Sequence, residues 1–383
     1  MSTTEPKTEP GPAGQPGPGG AGPSGALADT LPGTMRDAVV RSGLRAILVF
    51  VLTIVAALVA AVPVLLVTGS SPLDAYRALL EGSVGSERSI AESLISASPL
   101  ALAGLAVALA FQAGMFNIGV EGQLVVGGLA AGAVGAELDL PNGVHLTVAL
   151  LGGAGAGALW ALVPALLKAF RGVHEVITTI MFNYIAFSLS LWLVSPGGWL
   201  VSDTQPSATE RVRGSARLTR FWEPTRLHTG IFVAAVLVAA CWYLLFRTPL
   251  GYRLRAVGAN PRAAMFNGVD PRRTTVTALL LSGSLAGLAG AVEVLGLHGR
   301  YFDSFSPGYG FDSIAVALLG LLNPIGVGAA ALFFGMLRAG SVLLQSEAGV
   351  SRDMVTVISG LVVAFVAAQA AIGRTLLRRR ERA

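Results

Sequence analysis

The chain contains 383 residues, of which 53% are hydrophobic and only 13% are charged, and its mean hydropathy is +0.67. Soluble proteins carry about 25% charged residues, so these charges are too few to cover a water-exposed surface of this size. The 27 basic and 22 acidic residues give a small excess, and the arginines stand between apolar runs, which argues against nucleic-acid binding. Cys241 is the single cysteine and excludes a disulfide framework. The expected surroundings are a lipid bilayer.

The amino-terminal segment, residues 1–35, is predicted to be a disordered tail. Its first 33 residues include seven Pro and eight Gly and few aliphatic side chains, so it buries too little surface to offset its ordering entropy. Residues 40–373 are predicted to form one transmembrane domain, and residues 374–383 a basic tail.

Ten apolar runs lie within the transmembrane domain, and at about 20 residues per crossing they predict an all-α protein of about ten transmembrane helices. The runs cover 44–67, 89–112, 118–137, 144–169, 174–195, 229–247, 274–297, 309–322, 324–345 and 353–373. The eighth run is short and the third begins with polar side chains, so both are expected to be discontinuous.

The arginines between the runs predict the orientation, because short cytoplasmic loops are enriched in basic residues. Ten crossings place both termini on one side, together with most of these arginines, and that side is predicted to be the cytoplasm. The loop 196–228 is then external, although it carries five arginines. Long loops cross with less regard to charge, so the assignment stands.

Polar side chains at the start of the third run form the first candidate site. Phe116, Asn117, Glu121 and Gln123 occur in the order Phe-Asn-Ile-Gly-Val-Glu-Gly-Gln. Polar groups within a membrane span are costly and usually face a cavity or the bundle interior. These residues either line a solute pathway or form a structural cluster that joins helices, and the sequence leaves both interpretations open.

The fifth run supplies further candidates, Phe182 and Asn183, well inside the predicted span. An amide can bond to polar groups of a solute, and an aromatic ring can stack on a base. Adjacent residues point to different faces of a helix, so packing is expected for at least one aromatic residue. Glu293 and Arg338 also lie inside apolar runs, either as pathway groups or as members of buried ion pairs.

The polar stretch after the sixth run predicts a short, capped helix. Asn260 can cap it, Pro261 suits its first position, and Gly268 can end it in the left-handed conformation. Such a helix is either a docking element for a cytoplasmic partner or a simple connection between two spans.

Several kinds of catalytic site are missing from the sequence. A phosphate-binding loop needs a lysine after its glycines, but the two lysines, Lys7 and Lys168, have the wrong neighbours. No residues show metal-ligand spacing or a nucleophile-base arrangement. We therefore expect no cofactor, no metal and no enzymatic activity, and any ATP hydrolysis must occur in a partner.

Four stretches together resemble bacterial ABC-importer permeases of the ribose and branched-chain amino-acid superfamily, in particular the nucleoside (simple sugar) branch. They are Phe116 to Gln123, Gly172 to Asn183, Leu254 to Pro261 and Gly310 to Gly320. The resemblance covers about residues 40–373 and implies a type II permease fold in the cytoplasmic membrane of a bacterium. It implies import of nucleosides or related sugars by alternating access.

The resemblance also implies partners and site residues. The partners are an ATP-binding subunit, a second, similar permease and a substrate-binding lipoprotein. The segment 251–270 becomes the ATPase-coupling region. Its residues are Arg255, Gly258, Asn260, Pro261, Ala263, Ala264 and Gly268. The implied substrate pathway contains Phe116, Asn117, Glu121, Gln123, Phe182, Asn183 and Glu293.

Two alternatives remain beside this interpretation. An ion-coupled secondary transporter would use Glu121 or Glu293 as its titrating group and would need no ATPase. An intramembrane enzyme is less well supported, because no nucleophile and base occur together.

Overall fold

The computed structural model describes residues 51–52, 54–67 and 71–347, with 356, 357, 360, 361 and 364. All of these belong to one unit, residues 50–383. The predicted tails 1–35 and 374–383, the beginning of the first run and most of the last run, 353–373, lie outside the described residues.

The described part of the chain is all-α, as predicted, and its β-structure is limited to isolated bridges such as Ala208 with Phe302. The helices are α1 (Ile54–Val67), α2 (Pro72–Val84), α3 (Glu87–Gln112), α4 (Val120–Glu137), α5 (Val144–Arg171), α6 (Glu175–Val194), α7 (Gly230–Arg247), α8 (Pro249–Ala259), α9 (Pro261–Phe266), α10 (Pro271–Val292), α11 (Tyr309–Leu319) and α12 (Pro324–Glu347). A π-helical turn, Glu293–His298, continues α10.

Six helices among the described residues are long and apolar enough to cross a membrane: α3, α5, α6, α7, α10 with its π-helical turn, and α12. They coincide with predicted runs, and α11 is short, as expected for the eighth run. Helices α2 and α8 were not predicted. The sequence of α2 includes Asp74, Arg77 and Glu81, so it has no apolar run.

Most helix starts follow from local capping chemistry. The side chains of Ser86 and Asp270 accept backbone N–H groups in the first turns of α3 and α10. Prolines open α2, α8, α9 and α10, where a missing N–H costs nothing.

Helices α3 and α10 form the centre of the bundle. In their most apolar windows 83% and 78% of residues are buried, against 28% for α5 and 22% for both α6 and α7. Helices α5, α6 and α7 therefore lie at the periphery.

Glycines bring the backbones of α5 and α10 into contact. A Cβ atom on Gly157 would lie 2.8 Å from the Cα of Gly287, and one on Gly153 would lie 2.9 Å from the carbonyl oxygen of Gly127 in α4. Small residues allow such close approach in membrane bundles. The three helices consequently form one tightly packed seam.

The segment between α6 and α7 is held down by hydrogen bonds, which explains part of its arginine content. Arg213 donates from Nε to the Ala136 carbonyl and forms an ion pair with Asp139 at 3.2 Å. Arg226 binds the Glu92 carboxylate through two nitrogens. These arginines therefore anchor the segment to the ends of α3 and α4.

Candidate functional site

The chain between α3 and α4 is not helical, and this break places the first predicted motif. Gly114 has a φ of +75°, a conformation that glycine adopts without strain. The chain then passes through Asn117 before α4 begins at Val120. The third run itself forms one unbroken helix, Val120–Glu137, so the predicted discontinuity is limited to the connection that precedes it.

Asn117 is fully engaged by neighbouring groups. Its Nδ2 donates to Gln123 Oε1 and to Ser282 Oγ, both at 2.9 Å. Its Oδ1 accepts the Gly119 N–H at 3.0 Å. Ser282 in turn donates to the Ala106 carbonyl at 2.7 Å, so the network joins the break to both central helices.

Asn183 caps α4 from a neighbouring helix. The side chain of the N-cap residue, Gly119, cannot accept the free N–H groups of the first turn. Asn183 Oδ1 accepts the Gly122 N–H, and its Nδ2 donates to the Ile118 carbonyl, both at 2.9 Å. The amide is thereby used to hold α6 against the break.

Glu121 is 3% exposed and reaches the start of α11. Its Oε2 accepts the backbone N–H of Gly310 at 2.5 Å. A carboxylate at a helix N-terminus also interacts favourably with the helix dipole. The broken segment and the short helix α11 are thus linked directly.

Glu293, in the π-helical turn, faces two side chains. Its Oε1 lies 3.3 Å from His298 Nε2 and 3.5 Å from the Tyr309 hydroxyl. π-Helical turns are rare and frequently mark functional sites. Glu293 therefore joins α10 to the first turn of α11.

Arg338 is an ion-pair member, one of the two roles considered for it. Its Nη2 lies 3.0 Å from Asp312 Oδ2, and its guanidinium lies 4.3 Å from the centre of the Tyr309 ring. These three residues border a polar cavity of about 730 Å³ between α2, α3, α11 and α12. The start of α11 is consequently surrounded by polar groups on both sides.

The predicted aromatic residues are half-buried and pack against other aromatic rings. Phe116 stands edge-on to Phe111, with ring centroids 4.7 Å apart. Phe182 stands edge-on to Trp160 of α5 at 5.5 Å, and Trp160 donates to the Phe182 carbonyl. Phe182 therefore packs α6 against α5.

The predicted capped helix is confirmed as α9. Asn260 Oδ1 accepts the N–H groups of Arg262 and Ala263, at 3.0 and 3.1 Å. Pro261 is its first residue, and Gly268 has a φ of +77°. All three predicted features of this helix, its N-cap, its first residue and its left-handed end, are confirmed.

The other coupling candidates lie on or beside α8 and α9. Arg255 donates to the Leu245 carbonyl at 3.1 Å, and Gly258 packs against the backbone that follows α3. Ala263 is exposed and Ala264 is buried. Three large apolar side chains on α8 and α9 are exposed: Phe266 to 88%, Tyr252 to 58% and Met265 to 57%.

Sequence reasoning did not select Ser282 and Tyr309, which complete the two networks. Both are buried in apolar helices. The hydroxyl-bearing residues of these helices follow no sequence spacing that would mark a site. Within the described residues, no three His, Cys, Asp or Glu side chains are grouped to hold a metal ion.

Comparison with known proteins agrees with this architecture. Residues 89–367 match the family described as the permease component of the branched-chain amino acid transport system. The chain therefore belongs to this family, and it is a multi-pass membrane transporter subunit rather than an enzyme.

Individual relatives are ABC transporter permeases. The guanosine permease protein NupP of Bacillus subtilis is 40% identical over 85% of this chain and 94% of its own length. The glucose permease protein TsgB13 of Haloferax volcanii is 35% identical, with coverages of 82% and 86%. The nucleoside permease protein NupB of Lactococcus lactis is 31% identical, with coverages of 84% and 91%. No solved structure matches the chain significantly.

Proposed function

We propose that this protein is the permease subunit of an ATP-driven importer of nucleosides. The observation that carries the proposal is its 40% identity, over nearly the whole length of both chains, to a permease named for guanosine. A second relative, at 31% identity, is named for nucleosides. Family membership also favours an ATP-driven transporter over the ion-coupled alternative.

The proposed topology has ten crossings and both termini in the cytoplasm of a bacterium, in the type II permease fold. Residues 40–373 form the permease domain, between the tails 1–35 and 374–383. The segment 251–270 is then cytoplasmic and the loop 196–228 external. Arg247, Arg253, Arg262 and Arg272 support this orientation, because all lie on the side of α8 and α9.

The proposed pathway runs along α6, at the level where Asn183 ties this helix to the start of α4. Asn117, Gln123 and Asn183 bond to one another or to backbone, so they shape the pathway wall by fixing the break. Glu121 and Glu293 hold the first turn of α11 on the same wall. Phe116 and Phe182 support this arrangement by packing.

The proposed docking surface for the ATP-binding subunit consists of Tyr252, Met265 and Phe266. Exposed apolar side chains of this size mark interaction sites. Helix α8 presents Tyr252 and helix α9 presents Met265 and Phe266. The residues proposed to hold this arrangement are Arg255, Gly258, Asn260, Pro261, Ala263, Ala264 and Gly268. A second, similar permease and a substrate-binding lipoprotein complete the proposed importer.

A simple sugar is the second candidate substrate, because one relative is named for glucose. The test is uptake of labelled guanosine and labelled glucose by the complete complex in proteoliposomes. We expect ATP-dependent uptake of guanosine. Uptake of glucose alone would favour the second candidate, and solute uptake driven by an ion gradient without ATP would overturn the importer class.

A further inference from the structure

Helix α6 carries polar side chains on the face that points away from the rest of the described protein. Its buried face holds Asn183 and Thr179. Its opposite face exposes Tyr184, at 64%, and Ser188, one turn further on. The remainder of this face is apolar, with Ile177, Met181 and Leu191 exposed.

Both polar side chains lie deep within the span. Tyr184 lies about 13 Å along α6 from Glu175, and Ser188 about 20 Å, in a helix about 30 Å long. The hydrocarbon core of a bilayer is about 30 Å thick, so hydroxyl groups at these depths have no water if lipid covers them. A lipid-facing hydroxyl there would be costly unless it bonded to the protein.

Neither hydroxyl makes such a bond to any described residue, although nearby serines do. Ser190 Oγ donates to the Phe187 carbonyl and Ser195 Oγ to the Leu191 carbonyl, the usual way to satisfy a serine on a helix. The hydroxyls of Tyr184 and Ser188 remain available for a partner outside the described chain.

The neighbouring peripheral helix, α5, has the exposed surface expected of a lipid-facing helix. The exposed stripe of α5 runs through Leu151, Gly155, Leu159, Val163 and Leu166, and contains no polar side chain at the same depth. The two helices are comparably exposed, so the hydroxyls of α6 indicate different surroundings.

We propose that Tyr184 and Ser188 contact the solute and help to determine which solute passes. The solute class rests on the proposed function. The Tyr184 ring meets Phe187 edge-on at 6.4 Å, which fixes its position and leaves a face free to stack on a nucleobase. The two hydroxyls then bond to polar groups of the base or ribose. Asn183, one residue earlier, is already engaged with α4.

Cysteine accessibility tests the proposal in the intact complex. Cys241 is the only cysteine of this chain, so Cys241→Ala makes this subunit thiol-free, and labelling is read on its own band after the subunits are separated on a denaturing gel. Tyr184→Cys and Ser188→Cys are compared with Leu159→Cys, whose native side chain is 67% exposed and apolar-flanked. A charged thiosulfonate reagent should label positions 184 and 188 at least tenfold faster than 159, and solute should slow that labelling.

Two results would overturn the proposal. Labelling of 184 and 188 as slow as that of 159 places them against lipid or a helix of another subunit. Fast labelling that saturating solute does not slow places them in water but away from the solute. The melting temperature of each variant in detergent, compared with that of the Cys241→Ala protein, serves as the folding control.

Selectivity is measured separately. Tyr184→Leu removes the ring and should lower the preference for guanosine over free ribose by about tenfold, whereas Tyr184→Phe should retain most of it. An unchanged preference in Tyr184→Leu excludes the ring from solute contact. Wild-type uptake shows independently whether a nucleoside is carried, so failure of the proposed function and failure of this proposal are distinguishable.

Discussion

The carboxylate of Glu121, at the start of α4, accepts the backbone N–H of Gly310, in the first turn of α11, at 2.5 Å. The two residues are 189 positions apart in sequence. Their contact ties the third run to the short eighth run, the two elements expected to be discontinuous. A buried carboxyl group is thus used to position a helix end.

Replacing Glu121 by Ala should leave the Gly310 N–H buried and unpaired, at a cost of about 1–3 kcal/mol. Glu121→Gln retains an oxygen that can accept this hydrogen bond and should keep most of the uptake. Thermal stability in detergent and ATP-driven uptake measure both effects. If the Gln variant transports as poorly as the Ala variant, the negative charge itself is required.

Replacing Gly157 by Ala should destabilise the seam between α5 and α10. The added Cβ would lie 2.8 Å from the Gly287 Cα, and overpacking of this kind costs about 1–3 kcal/mol. Gly155→Ala is the matched control, since a Cβ there meets nothing within 4 Å. Equal melting temperatures of the two variants would contradict the close contact.

Replacing Asn260 by Ala should fray α9, because a lost N-cap costs about 0.5–2 kcal/mol. We expect membrane insertion to persist while ATP-driven uptake falls. Asn142→Ala, in the exposed turn before α5, controls for the loss of a surface asparagine. Full-rate uptake by the Asn260 variant would exclude α9 from coupling.

Lowering the pH should reduce the free energy of unfolding because of His228. This residue precedes α7 and lies outside the spanning segments. Burial lowers the pKa of His228 to about 4, with a further contribution from Arg220. The ring is therefore neutral in the folded protein, and its Nδ1 accepts the Gly230 N–H. Below pH 6.5 the unfolded chain gains a proton that the folded chain does not.

Stability should thus fall as the pH decreases from about 6.5 to about 4, by up to about 3 kcal/mol. Melting temperatures recorded over this range measure the loss. His228→Asn removes the titrating group and should flatten the profile between these values. A profile as steep as that of the wild type would show that other groups are responsible.

Much of the fold could be predicted, because a helix that crosses a lipid bilayer needs a long run of apolar residues. The rule fails for α2 and α8, whose charged residues interrupt apolar stretches. The interruption between the second and third runs, at Asn117, was predicted correctly, because polar residues and Gly119 separate the two apolar stretches.

The site was harder to predict, because its contacts join residues distant in sequence. The Asn183 amide looked suited to a solute, yet it bonds to the backbone of α4. The neighbouring residue, Tyr184, faces outward. Which of the two side chains faces outward depends on how α6 packs against α4 and α5, and the sequence of α6 alone does not show this. Local capping at Asn260 depended on adjacent residues alone and was predictable for that reason.

Gly114 and Gly258 bring α8 into backbone contact with the segment that follows α3. A Cβ on Gly114 would lie 3.1 Å from the Gly258 Cα, so α8 and the segment leading to Asn117 meet main chain against main chain. No side chain stands between them to change rotamer and absorb a displacement. In the proposed importer, a displacement of α8 would therefore reach the segment before Asn117 through backbone contact alone.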